Sequence, residues 1–427
     1  RVLVLRGHDH DLRPAIGVIG EPIEKSPAAD GEAIGGTLAR LTGAKTVVNT
    51  ALRWIPLFLP TLEPAFGATT AQLTTALGVG ELAGLSTVAV GPRLDRGRER
   101  IVLVTSLLLI GLSSLIALGG SLTTFAIAFF VLVSGVANYT VAGQAWISHR
   151  VGYRQRARAL GLFETSWALA LLVGAPTVAV LINVFGWRGP FVALALASLV
   201  AAVVVAAQLS RRVAVPSVQP VGTGTGHPPS VPQAPRQPIT PTAWLVMIGS
   251  ATTAMAGLSV FVISGSWLDD AFGVSTGGVG LVAVAFGGVE LAASLTSAAV
   301  ADNLGKLRST LSGLIALLVG LGVMLVADDR ILVGVAGLLV FLLGFEFAFV
   351  TSLSLVSEAM PDARGTTLAV SNAVGTVARA AGAIVSGWLF GVHGINGTAA
   401  LSAAAAVAAV VCLLVSRRTG RRAPDPS

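Results

Sequence analysis

The sequence predicts an all-α membrane protein of twelve transmembrane helices, arranged as two pseudo-symmetric bundles of six. Three observations carry that expectation. Of 427 residues, 54% are hydrophobic and only 11% charged, with a mean hydropathy of +0.81, against about 25% charged in an ordinary soluble domain. The apolar residues gather into twelve stretches, each long enough to cross a bilayer. The second six stretches repeat the first across a proline-rich segment.

A span needs about 20 predominantly apolar residues. Before the proline-rich segment the stretches are 46–62, 71–90, 101–118, 123–147, 160–184 and 190–207; after it they are 243–268, 277–301, 310–327, 331–355, 365–390 and 397–415. Each must be a helix, because lipid offers no partners to backbone N–H and C=O groups and a helix satisfies them internally. The expected organisation is a tail without regular structure over 1–44, a bundle over 45–208, a linker over 209–242, a second bundle over 243–416 and a tail over 417–427. Residues 211–242 carry eight prolines and three arginines with no acid. Such a run cannot bury apolar surface and stays in water.

The basic residues fix the orientation. Arg93, Arg96, Arg98 and Arg100, then Arg150, Arg154, Arg156 and Arg158, fall on one side with the linker, Lys306, Arg308, Arg364 and the C-terminal arginines; only Arg188 and Arg330 fall on the other. Positive charge is retained on the cytoplasmic face, so both termini and the linker are expected there, in the plasma membrane. Topology thereby accounts for the net charge of +7, and no nucleic-acid partner is expected. The lone cysteine, Cys412, excludes an intrachain disulfide. His8-Asp9-His10-Asp11 has metal-ligand residue types but no scaffold, so no metal site is expected.

The halves echo each other at an offset of 206 to 209 residues. Ala65-Phe66-Gly67 returns as Ala271-Phe272-Gly273, Glu81-Leu82-Ala83 as Glu290-Leu291-Ala292, Asp95 as Asp302, Arg156 as Arg364 and Gly174 as Gly382. Two like-oriented halves are related by an axis along the membrane normal, which places a substrate site between them near mid-membrane. After the second span runs Gly91-Pro92-Arg93-Leu94-Asp95-Arg96-Gly97-Arg98-Glu99-Arg100, echoed after the eighth by Asp302, Gly305 and Lys306. These loops resemble the signature G-x-x-x-D-R-x-G-[RK]-[RK] of the major facilitator superfamily. The first copy departs from it at Arg98 and Glu99, and the second lacks the first glycine. The resemblance, which covers about 46–415, implies alternating access between two bundles. It also implies a cytoplasmic gating loop built on Gly91, Asp95, Arg96, Arg100, Asp302, Gly305 and Lys306, with Asp95 holding a charge cluster between helices.

Six ionisable residues fall inside spans: Arg53, Glu81, Glu164, Glu290, Glu346 and Arg379. A charge at mid-helix costs about 2.5 to 3.5 kcal/mol on insertion scales, so these should face a cavity and not lipid. The third, sixth, ninth and twelfth spans hold none, and those are the four that the resemblance places outermost. Arg53 and Arg379 suit an anionic substrate or a counter-ion role, and a carboxylate in such a cavity can take up and release protons. The plainer alternative is a static ion pair bracing two helices. Glu164, near the cytoplasmic end, is expected to pair with arginines there. Asn138, Tyr139, Gln144, Trp54 and Trp167 are expected to line the cavity or pack helices.

The function expected is secondary active transport of a small solute: proton-coupled efflux of a small organic or drug-like compound, with import of an organic anion as the alternative. Gly222-Thr223-Gly224-Thr225-Gly226 lacks the Lys-Ser/Thr that phosphate binding needs, so neither ATP nor another cofactor is expected. An embedded enzyme would need catalytic groups in its spans, yet all five histidines sit in tails or loops. A sensor or scaffold on the same fold is the competing class. The expected partners are the solute, protons and the bilayer, with the chain acting as a monomer.

Overall fold

The computed structural model describes residues 27–210, 238–360 and 363–420; backbone hydrogen bonding there is helical, with no strand among the described residues. The first span is α1 (Pro27–Leu57) and α2 (Leu59–Phe66), broken at Phe58 where Pro60 removes a backbone donor. The second is α3 (Thr70–Glu81), a 3₁₀ turn over Leu82–Ser86 and α4 (Thr87–Asp95). Then follow α5 (Glu99–Ala117) and α6 (Leu122–Arg150). The fifth span is irregular: α7 (Tyr153–Glu164), α8 (Ser166–Leu169), a π-helical turn over Ala170–Gly174 and α9 (Ala175–Phe185). The sixth, α10 (Arg188–Ser210), closes the first half.

The second half repeats this plan. A broken seventh span, α11 (Pro241–Phe261) with α12 (Ser264–Phe272), leads to α13 (Thr276–Leu304), α14 (Lys306–Leu325) and α15 (Ile331–Glu358). The last two spans are α16 (Arg364–Gly420), which turns at Gly394. Among the described residues, all seven positive-φ glycines and Asp328 fall into repeat pairs: Gly67 with Gly273, Gly97 with Gly305, Gly120 with Asp328, and Gly186 with Gly394. The turns ending four spans of one half thus recur at matching places in the other.

Two expectations are corrected. Helix α1 begins at Pro27, so residues 27–44 are helical and do not belong to an unstructured tail. Leu38 and Leu41, at helical spacing, are buried and extend the first span's apolar face backwards. Asp95 is exposed and makes no ion pair among the described residues, so it holds no charge cluster here. Glu99, standing where the family signature has a base, is the buried acid of that loop, contacted by His149 Nδ1 at 2.6 Å and Arg150 Nη1 at 3.4 Å. The second half has the counterpart in Lys306 and Glu358 with the charges exchanged. Arg96 and Arg100 are exposed and Gly91 is half-buried, and Gly305 turns the chain into α14 at φ +82°. His8–Asp11, most of the linker and the side chains of Asp302 and Arg364 lie outside the described residues.

At the end of the molecule away from the linker, hereafter the far side, the two halves meet through small residues. A Cβ on Gly265 of α12 would stand 2.1 Å from the Leu57 carbonyl oxygen, and one on Gly387 of α16 would collide with Thr74 of α3. Gly287 of α13 packs likewise on the Ala168 carbonyl and Leu172 of the fifth span. Helices approach this closely only where side chains are absent, and the reward is dense van der Waals contact. Helices α5, α10, α14 and the part of α16 beyond Gly394 lie outside these seams, exposing Leu112, Leu196, Val319 and Val411 to the surroundings.

Candidate functional site

Between the halves lies a cavity of about 1330 Å³, reaching from mid-span to the linker side. It is lined by the spans on both sides of the seam and by no described residue of α5, α10, α14 or the outer part of α16. The ion-free spans therefore stand outermost. Of the eight predicted cavity residues, Arg53, Glu81, Gln144, Trp167, Glu290, Glu346 and Arg379 line this cavity, together with Glu164.

At its closed end Arg53 of α1 meets both carboxylate oxygens of Glu290 on α13, across the seam, with Arg53 and Glu290 both buried. Its Nη1 also donates to the Trp167 carbonyl at 3.1 Å, and its guanidinium lies 5.3 Å from the Trp167 ring and 5.2 Å from Phe261. Two-pronged contact with a carboxylate uses the planar fork of arginine, a geometry lysine cannot reproduce. Glu346 of α15 stands within electrostatic reach of both partners, yet its carboxylate has no hydrogen bond among the described residues. One cation thus faces two acids.

A second pair crosses the seam beside it. Arg379 of α16 donates from Nε to Glu81 of α3 at 3.0 Å and from Nη2 to Thr376 at 3.2 Å. Glu81 and Glu290 are repeat-equivalent, and each is held by an arginine of the opposite half. The arginines come from helices that are not equivalent.

The third cluster was not expected. Lys45, whose side chain is fully buried, donates to Glu164 at 2.5 Å and lies 4.1 Å from the Phe163 ring. Glu164 also accepts from Gln144 Nε2 and Trp167 Nε1, both at 3.1 Å, and so pairs with this lysine and not with the loop arginines. Starting the first span at residue 46 hid Lys45. The signal was the spacing of Lys45, Asn49 and Arg53, a polar stripe at every fourth residue of one helix. Each member meets the fifth span in turn: Lys45 at Glu164, Asn49 at Ser166 Oγ at 3.0 Å, and Arg53 at the Trp167 carbonyl. The π turn falls directly after this contact, the kind of local irregularity that frequents functional sites.

Asn138, expected in the cavity, sits elsewhere, and Tyr139 and Trp54 take the helix-packing alternative. Asn138 packs inside the first half, its Nδ2 donating to Ser86 Oγ at 3.3 Å, and Tyr139 donates to the Leu41 carbonyl at 3.0 Å. Trp54 is buried against Phe191. No group of metal-ligating side chains occurs among the described residues.

A family model described as Major Facilitator Superfamily matches residues 44–383 and 245–427. The chain is 22% identical over 353 residues to an uncharacterised MFS-type transporter, YceJ of Bacillus subtilis (strain 168), covering 81% of this chain and 86% of that one. Its fold is similar to a bacterial homologue of the human lysosomal transporter Spinster in an inward-facing, unoccupied conformation. That likeness has a TM-score of 0.75 at 14% identity and covers 92% of this chain and 99% of the other. A D-xylose–proton symporter is similar at TM-score 0.69 and 15% identity, over 90% and 97%. Twelve spans in two repeated halves, a charged cavity between them and a family match across almost the whole of both halves lead to one conclusion: this multi-pass membrane protein belongs to the major facilitator superfamily.

Proposed function

We propose that this chain is a secondary active transporter that exports a small organic or drug-like solute across the plasma membrane in exchange for protons. The observation that carries the reading is the unequal charge at the closed end of the cavity, where Arg53 is shared by Glu290 and Glu346. Glu290 holds the arginine by both oxygens, so Glu346 is the acid free to load and unload a proton. The Lys/Arg asymmetry supports a cytoplasmic linker, so the cavity in this conformation faces the cytoplasm. An inward proton gradient then drives exchange outward. Rocking to the opposite conformation requires the seam to part, and with it the Arg53–Glu290 and Glu81–Arg379 pairs. Both cavity walls come from one chain, so a monomer suffices.

A cavity of this volume exceeds the about 300–1,000 Å³ usual for drug-sized ligands, which favours a bulky organic solute. Import of an organic anion finds less support, because Arg53 and Arg379 are both engaged by carboxylates. The test is solute flux in proteoliposomes under an imposed pH gradient, with Glu346→Gln alongside. Flux that follows the gradient and is uncoupled by the substitution is expected. Flux indifferent to pH would remove the proton, and ligand-driven conformational change without flux would make the protein a sensor.

A further inference from the structure

The second and fifth spans are irregular where their counterparts in the other half are not. The 3₁₀ turn over Leu82–Ser86 and the π-helical turn over Ala170–Gly174 correspond, at the repeat offset, to 291–295 of α13 and 378–382 of α16, which are unbroken helix. Each turn divides its span into a held part and a free part. On the far side α3 is seated in the seam, where a Cβ on Gly78 would stand 2.6 Å from the Ala380 carbonyl oxygen. Helix α9 is seated there too, where a Cβ on Gly280 would stand 2.9 Å from the Cβ of Ala179. On the linker side α4 and α7 border the cavity through Thr87 and Gly161, and open space surrounds Gly91 and Gly161.

Behind each turn stands a buried asparagine. Asn49 of α1 donates from Nδ2 to Ser166 Oγ at 3.0 Å, just ahead of the π turn, and Asn138 of α6 donates to Ser86 Oγ at 3.3 Å, at the end of the 3₁₀ turn. The Ser166 hydroxyl proton is committed to the Phe163 carbonyl at 2.8 Å, so Ser166 can only accept from Asn49, and this fixes which way the amide points. In both asparagines the amide Oδ1 is buried and has no hydrogen-bond partner among the described residues. Of the seven such side-chain atoms among those residues, six lie in the first half, so the unmet hydrogen-bonding capacity is concentrated in the half that holds both irregular turns. A buried amide oxygen without a donor carries its full desolvation cost, and a bound water with several polar neighbours is the usual remedy. Such neighbours are at hand. Where a helix passes from α to 3₁₀ or π pitch, the i→i−4 ladder is interrupted and backbone groups at the junction take other partners.

We propose that Asn49 Oδ1 and Asn138 Oδ1 each bind one water against the neighbouring turn, and that the two hydrated turns are the hinges of the first half. A water that exchanges its hydrogen bonds between amide and backbone lets the ladder change pitch without stranding a polar group. Helices α4 and α7 then swing toward α13 and α16 while α3 and α9 stay seated, so the linker side closes before the far-side glycine contacts part. The second half, regular at the equivalent places, moves as a rigid body. These hinges serve any solute and either direction of transport.

Spin-label pairs on the purified full chain in nanodiscs test the hinges, at the exposed positions 101 and 162 in the first half and 308 and 368 in the second. The first pair should show two distance populations and the second pair one. Combining Asn49→Leu with Ser166→Ala, and Asn138→Leu with Ser86→Ala, removes each water site together with the hydroxyl that faces it, so no polar partner is stranded and the fold should be retained. In that quadruple variant the first pair should collapse to one population, with the second pair unchanged. A high-resolution density map of the parent should place a water within about 3 Å of both Asn49 Oδ1 and Asn138 Oδ1. A single population in the first pair, equal spread in both halves, or two populations persisting in the quadruple variant would overturn the hinges. Amide oxygens met by protein donors, with no water beside them, would overturn the sites. Should the variant misfold on gel filtration, the parent's label distances and its density map still decide.

Discussion

Lys45 owes its place to one neighbour. Its side chain is fully buried, and Glu164 is its sole counter-charge among the described residues. Removing one member of a buried pair costs about 3–5 kcal/mol because the survivor is left charged and unpaired. Glu164 is partly open to the cavity, so screening lowers the figure toward or below that range's lower end. Glu164→Gln should accordingly lower the thermal unfolding temperature in detergent, and adding Lys45→Met should restore most of the loss. Arg53→Lys is the sharper test of the seam. A lysine cannot span both oxygens of Glu290 and the Trp167 carbonyl together, so transport should drop at least tenfold while folding, followed by gel filtration, is retained.

At the scale of the helix, the far-side seam sets the conformational balance. Gly265 touches the Leu57 carbonyl directly, so Gly265→Val cannot be accommodated with the far side shut. Spin labels at positions 68 and 274 should report a longer distance in that variant than in the parent.

At the scale of the molecule, Arg53–Glu290 and Glu81–Arg379 are, among the described residues, the ion pairs that tie one half to the other in this conformation. Arg379→Gln should shift the population toward far-side opening, seen as faster maleimide labelling of a cysteine at position 74. The architecture was legible because hydropathy reports each span independently and the repeat tested the count. The six charges inside spans were legible because lipid disfavours them anywhere but the interior. Partners were not legible. Which arginine meets which acid depends on tertiary closeness across more than 200 residues, and Asn138 and Tyr139 have the chemistry of lining residues but point into their own half. Lys45 stands one position before the apolar stretch that starts at residue 46, yet in the middle of α1, because an amphipathic helix continues past the point where its hydropathy falls.

The brace between the third and fourth spans of each half has one further implication. Glu99 answers Arg150 and His149 in the first half, whereas Lys306 answers Glu358 in the second. Were a third span to associate with the fourth span of the wrong half, acid would oppose acid or base would oppose base. Reversed polarity therefore discourages crossed assembly between two sequences that otherwise share a plan. Polypeptides 1–225 and 226–427, made separately in one cell, should find each other correctly, and giving both halves the same polarity should yield mixed, poorly extractable products.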